Sequence, residues 1–326
     1  MYWTLASAVV SKLDGLNLLH RGILVGNEYD RVNVYKVGNL KIGQIASIPK
    51  HADNFAVSVE EYDDYVTILA LLEDKRTFIA YSVDPRKHIQ RRILTLSNEV
   101  NEVYRVACEG CSELLILDTE SEGYAIPTIV VGSSDEASIL IRNLPAIKMD
   151  DIDTDRWILR GVAKIGDDYV FIFRERGAVE EREAGLLICR ADKPPSMNCK
   201  EIESAGVLVR QGRIFVNKQG EIIIADYKSI ITIDAKEGRV TRRIHIPFNA
   251  TVKEYLGKLF IASSNVGILM DKNTFAVEEI VSVPEGEVRD IVRGTSSAGS
   301  PAIAYTIPLD YKTEIVKVDV FARQDF

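Results

Sequence analysis

Four cysteines offer the sharpest chemistry in the chain. Cys108-Glu109-Gly110-Cys111 places two thiols at the spacing of a metal-binding turn. Two such thiolates can enter a tetrahedral zinc site, which Cys189 and Cys199 would complete. The same residues also suit two disulfides. Cys189 and Cys199 flank a Lys-Pro-Pro-Ser loop between adjacent strand-like runs, so they can lie opposite each other at bonding distance. A third reading makes all four unpaired thiols that serve as small apolar residues. Disulfides or free thiols are preferred over zinc. A redox-active CxxC needs a helix N-terminus to lower a thiol pKa, and here the flanks read as strands.

The remaining polar motifs have plain explanations. Asp151-Ile-Asp-Thr-Asp155 alternates carboxylates like a calcium loop, but such a loop needs Gly at its sixth position and Glu at its twelfth, where this chain has Arg156 and Val162. A solvated connector is the simpler reading. The histidines, His20, His51, His88 and His245, never take the i, i+4 spacing of a metal-binding helix. There is no G-x-S-x-G elbow and no Gly-rich loop ending in Lys-Ser/Thr, which removes nucleophile-elbow hydrolysis and P-loop chemistry. Arg91-Arg92 and Arg242-Arg243 can meet an acidic or phosphorylated partner, although charges on an outer strand more often discourage edge pairing. Glu60, Glu61, Asp63 and Asp64, interleaved with Tyr62 and Tyr65, read as a solvated turn before an acidic-aromatic contact surface. No cofactor is implied.

The elements that carry these residues are short β-branched runs separated by Gly, Asn and charged turns. They are clearest from Ala205 to Pro284. There Ile214, Val216, Ile222, Ile224, Ile231, Ile233, Ile244 and Ile246 alternate with polar residues, and Leu259, Ile261, Ile268, Met270, Ile280 and Val283 follow the same plan. Closing strands fall near residues 49, 97, 147, 204, 247 and 284, a period of about 47 that suits four-stranded modules of a repeat fold. The last round, from Glu287, supplies three strands, and residues 2–10 are the spare segment that can add a fourth. They fit a strand better than a helix. The expectation is an all-β chain: one seven-bladed β-propeller over residues 1–326, with six blades as the alternative and the last blade closed by the N-terminal strand.

Composition limits the partners. The net charge of −8 and pI near 5.3 argue against general nucleic-acid binding, which needs a positive surface. No apolar run approaches the roughly 20 residues that span a bilayer, and residues 1–19 lack the positive start of a secretory signal. The expectation is a cytoplasmic protein with no membrane partner. About five glutamines among many Ile, Val, Glu, Lys and Arg suggest a thermophilic source, where intracellular disulfides are common.

In its period and four-strand rounds the chain resembles the broad superfamily of WD-repeat and related propellers. The Gly-His and Trp-Asp dipeptides of WD repeats are absent, and Trp3 and Trp157 hold no repeated position. The resemblance therefore implies architecture and carries no site residues. Two functions are compatible with it. The first is a non-catalytic scaffold that presents loops to a protein partner. The alternative is a hydrolase, a lactonase or glycosidase in kind, with Asp118, Asp168, Asp226 and Asp271 or a metal gathered at the mouth of a central channel.

Overall fold

The computed structural model describes residues 2–38, 40–50, 57–62, 65–84, 86, 89–100, 102–109, 111, 113–119, 124–132, 139–177, 185–202, 205–207, 209, 213–226, 228–283, 288–310 and 315–323. All regular structure among them is β-strand. The chain divides into two compact units: one of Met1–Glu99, Gly132–Ile139 and Thr251–Phe326, the other of Val100–Val131 and Leu140–Ala250.

In the first unit, β1 (Tyr2–Ser11) precedes a module of β2 (Gly15–His20), β3 (Ile23–Asn27), β4 (Arg31–Gly38) and β5 (Lys41–Pro49), then one of β6 (Val57–Tyr62), β7 (Tyr65–Leu71), β8 (Thr77–Val83) and β9 (Ile89–Thr95). Each module is an antiparallel meander in chain order. The run LNLLHRGILVG, continuous to the eye, is in fact the β2–β3 hairpin. Arg21 (φ 46°) and Gly22 (φ 77°) both take positive φ, which a two-residue turn needs to follow strand twist.

The second unit begins with β10 (Val103–Ala107), β11 (Glu113–Thr119), β12 (Tyr124–Gly132) and β13 (Ile139–Asn143), followed by the short β14 (Ile147–Lys148). The closing strand of this round therefore stops at Asn143, and residues near 147 turn back to pair with β12, Ile147 against Ala125. Next come β15 (Trp157–Ile165), β16 (Asp168–Glu175), β17 (Leu186–Lys193) and β18 (Ser196–Ile202), then β19 (Ile214–Val216), β20 (Ile222–Ala225), β21 (Ser229–Asp234) and β22 (Arg239–His245). The chain then returns to the first unit with β23 (Thr251–Tyr255), β24 (Lys258–Ser263), β25 (Val266–Asp271) and β26 (Val277–Ser282). The alternation had revealed three of these strands and missed β23. Last are β27 (Asp290–Thr295), β28 (Pro301–Asp310) and β29 (Ile315–Arg323).

The N-terminal segment completes this last module, as its pattern predicts. β1 pairs antiparallel with β29 from Tyr2↔Arg323 to Ser11↔Ile315. The buried carboxylate of Asp319 accepts the Ser7 hydroxyl at 2.5 Å and pairs with Lys317 at 2.8 Å. The ladder is interrupted at Leu5, whose carbonyl accepts the amide of Leu40 instead.

Within each unit, apolar clusters form between neighbouring modules. Val25 and Val34 of one module pack with Val66 and Ile68 of the next, while Leu24 and Tyr35, on the opposite face, pack with Val292, Val318 and Val320. A sheet covered on both faces has continuous apolar strands: Ile222, Ile223, Ile224 and Ala225 of β20 are all fully buried. Each such side chain contributes roughly 1.5–3 kcal/mol on burial.

First strands of adjacent modules run side by side and parallel, Leu19↔Gly294 in the first unit and Val106↔Val162 in the second. A Cβ on Gly294 would collide with the backbone carbonyl of Leu19, and one on Gly161 with the Ile214 side chain. Replacing Gly294 with Ala should cost at least about 3 kcal/mol in urea unfolding, because backbone cannot yield as a side chain can. Gly43→Ala, where an added Cβ meets nothing within 4 Å, should be near neutral.

Hairpins between third and fourth strands rest on aspartates. The Asp271 carboxylate accepts the amides of Thr274 at 2.7 Å and Asn273 at 2.9 Å, and Asp234 repeats the arrangement with Lys236 and Glu237. The Thr274 amide is the largest of the influences holding Asp271 below its usual range. Its contribution to stability is therefore complete above the unfolded value near 3.8 and is lost as pH falls through the folded one. Asp271→Ala should lose on the order of 0.5 kcal/mol at neutral pH, kept small by solvent screening. That difference from wild type should shrink in melts as pH falls below 3.8.

Candidate functional site

The cysteines form two disulfides, Cys108–Cys111 and Cys189–Cys199. Cys189 and Cys199 are direct cross-strand partners in β17 and β18, with Cα atoms 4.0 Å apart. Sulfurs joined in this way are not thiolates, the form in which Cys108, Cys111, Cys189 and Cys199 would ligate zinc. Among the described residues no three His, Cys, Asp or Glu side chains are grouped to hold an ion.

Two carboxylates of the hydrolase reading, Asp168 and Asp271, have other partners. Asp168 opens β16 and is bound by Arg190, whose Nε lies at 2.9 Å. Asp226 follows the far end of β20 and is buried. Asp271 is spent on its own turn. Asp118 lies near the end of β11, and its side chain is outside the described residues. In Asp151–Asp155 the Asp153 carboxylate caps the amides of Asp155 and Arg156 at 3.0 and 3.2 Å, a turn lock and not an open ion cradle. His20 is buried beside Tyr255 and His245 is exposed on β22. His51, His88, Asp63 and Asp64 lie outside the described residues, as do the side chains of Glu60, Glu61 and Tyr62; Tyr65 is half-buried.

What several modules build, each within its own unit, is an organised end. In several of them the residue just past the fourth strand donates its amide to the residue just before the third: Lys50 to Asp30, Leu96 to Arg76, Ile246 to Lys228 and Val283 to Asn265, at 2.8–2.9 Å. Each bond extends the ladder by one rung and locks the turn between strands two and three to the link leading to the next module. Surface aromatics stand on these locked pairs. Tyr29, 69% exposed, occupies the β3–β4 turn, and the buried Lys50 donates its ammonium to the Tyr29 carbonyl at 2.8 Å from beneath. Asp30 and Arg31 pair at 3.2 Å beside it, and the Arg31 hydrogen bond holds the Asp30 carboxyl below its usual range. Burial lowers the Lys50 ammonium pKa, against the opposing pull of Asp14 and Asp30. In the second unit Phe248, 63% exposed on the link after β22, lies 5.6 Å from the Lys228 ammonium of the preceding turn. Sequence reading missed Tyr29 and Phe248. The available signal was an aromatic inside a polar turn, Asn-Glu-Tyr-Asp and Pro-Phe-Asn.

Polar ties also join the inner strands of neighbouring modules. In the first unit Lys253 of β23 donates to both Asp290 oxygens and to the Leu16 carbonyl, all at 2.6 Å, while the Leu16 amide returns to Asp290 at 2.8 Å. Three first strands are thereby joined through one ion pair. At their other end the Tyr255 hydroxyl reaches Thr295 at 3.2 Å and lies 3.5 Å from His20. In the second unit the buried Glu113 accepts from Arg142, Lys164 and Tyr169 at 2.7, 2.9 and 2.8 Å. Its carboxylate and the burial around it push the Tyr169 phenol upward, burial being the larger cause. All these groups answer one another, which suits a frame and leaves none poised as acid, base or nucleophile.

No family model matches this sequence, and no curated protein does. Among solved structures, the β-propeller domain of Myceliophteria thermophila Cps50 (Swd1) aligns over 97% of this chain and 98% of its own, with TM-score 0.51 and 10% identity. BBS1N, solved in complex with ARL6DN, aligns over 99% and 97% with TM-score 0.49 and 11% identity. The WD40 β-propeller domain of Doa1 aligns over 100% and 98% with TM-score 0.47 and 12% identity. Identity this low speaks for fold alone, and the Cps50 alignment agrees with the successive four-stranded meanders and the N-terminal strand that completes the last of them. The chain is a β-propeller.

Proposed function

We propose that this chain is a non-catalytic protein-interaction scaffold, a single propeller domain over residues 1–326 working in the cytoplasm, that engages its partner through the end where second–third turns meet the inter-module links. The observation that carries this reading is Tyr29. Holding a lysine head group out of water against a backbone carbonyl is costly, and here its effect is to anchor the backbone of a turn that carries an aromatic side chain in solvent. Rigid, exposed tyrosines are where binding energy concentrates in protein interfaces. Phe248 supports the same reading in the second unit. The two disulfides fit a cytoplasmic setting if the source is thermophilic, as the composition suggests.

The full-length chain, immobilised and exposed to extract of its native source, should retain a partner. Tyr29→Ala should lose that partner, and Leu256→Asn, an exposed substitution in the β23–β24 turn at the other end of the module, should keep it. Retention by Tyr29→Ala equal to wild type would overturn the proposal. The brace itself is testable by pH. Because burial holds Lys50 below its ordinary 10.5, the unfolded chain binds more protons between the folded value and 10.5. Stability at this site should therefore rise with pH through that window. In urea titrations Lys50→Met should lack this gain, so the difference between wild type and variant should change as pH approaches 10.5 from below.

A further inference from the structure

A second surface, independent of Tyr29, lies on the first unit's β9. It is the edge of its sheet, after β8, so among the described residues one side of its backbone has no strand partner. Ile89, Gln90, Arg91, Arg92, Ile93 and Thr95 are all exposed, Ile93 by 59% and Ile89 by 38%. Alternate residues of a strand share a face, so Ile89, Arg91 and Ile93 form an apolar–cationic–apolar row, with Arg92 on the opposite face.

The charges separate this edge from its neighbours. Several cations elsewhere in the unit have carboxylates: Arg76 with Glu99, Lys258 with Glu278, Arg293 with Glu279 and Lys317 with Asp319. The edge strand β26 is acidic, and both of its glutamates are engaged in those pairs. The turn leading into β5 is met by β1 at Leu40. Among the described residues no carboxylate pairs with Arg91 or Arg92. A strand built only to deter pairing would set charge at the outward positions, whereas here two exposed isoleucines flank Arg91 on one face.

We infer that β9 takes an extended acidic peptide as an added strand. Backbone hydrogen bonds along the edge would supply affinity, and alternating contacts would supply choice, apolar side chains against Ile89 and Ile93 and a carboxylate against Arg91. The occupant is a protein segment that alternates acidic and apolar residues.

The test uses the full chain and a fluorescent peptide of alternating valine and glutamate, followed by anisotropy. The expected result is saturable binding that salt weakens. The Arg91→Glu/Arg92→Glu double variant should bind on the order of tenfold more weakly, about 1.4 kcal/mol, and should gain affinity for the matching valine–lysine peptide. Arg91→Lys/Arg92→Lys should keep most of the binding. Hydrogen exchange should show peptide-dependent protection of the β9 amides. Equal affinity in wild type and the charge-reversed variant, or protection at another edge instead, would overturn the inference. So would sedimentation showing that the edge is occupied by a second copy of the chain that the peptide cannot displace. None of these readouts depends on Tyr29, so this surface and the Tyr29 end succeed or fail separately.

Discussion

Where β27 meets β2, the backbone of Gly294 lies against the carbonyl of Leu19 with no room for a side chain between them. Adjacent modules can converge at their first strands only if backbone replaces side chain at such a point. The convergence is then secured electrostatically. Lys253 and Asp290 draw three consecutive first strands together in the first unit, and Glu113 plays a similar part between two modules of the second. Charges held this way satisfy one another, which is the condition for burying them at all.

Convergence on one side forces divergence on the other. First strands are crowded and covered, while fourth strands such as β9 and β22 are exposed along most of their length. Interior strands thus read as apolar runs and fourth strands as mixed ones, with Arg91 and Arg92 on β9 and Arg242 and Arg243 on β22. The same geometry leaves function to turns and edges, since every interior position is committed to packing between modules. In the Lys50–Tyr29 pair, a buried charge serves an exposed turn.

Much of the fold was legible because its signals are local. Alternation in residues 205–284, the regular spacing of the closing strands and the spare strand at residues 2–10 all follow from side-chain periodicity, which each segment carries within itself. The pattern is harder to read where a turn is only two residues long or where a strand carries charges. Leu-Leu-His-Arg-Gly-Ile-Leu hides a hairpin because its turn needs only two positive φ angles, and β23 went unseen because Lys253 and Glu254 break its apolar pattern. These two residues are polar for tertiary reasons: one clamps Asp290, and the other is the partner of the buried Lys272.

From the sequence by itself came the all-β class, the repeating module, the pairing of chain ends, and the possibility of a Cys189–Cys199 bridge, because each depends on spacing along the chain. Only the tertiary structure decided that the four cysteines are two separate bridges, that Asp168 and Asp271 serve as partners for Arg190 and a turn, and that Tyr29 is an exposed, braced aromatic while Arg91 and Arg92 are left without carboxylates. Those facts depend on which groups meet across strands and modules. Distances between such groups are set by packing, and no local pattern encodes them.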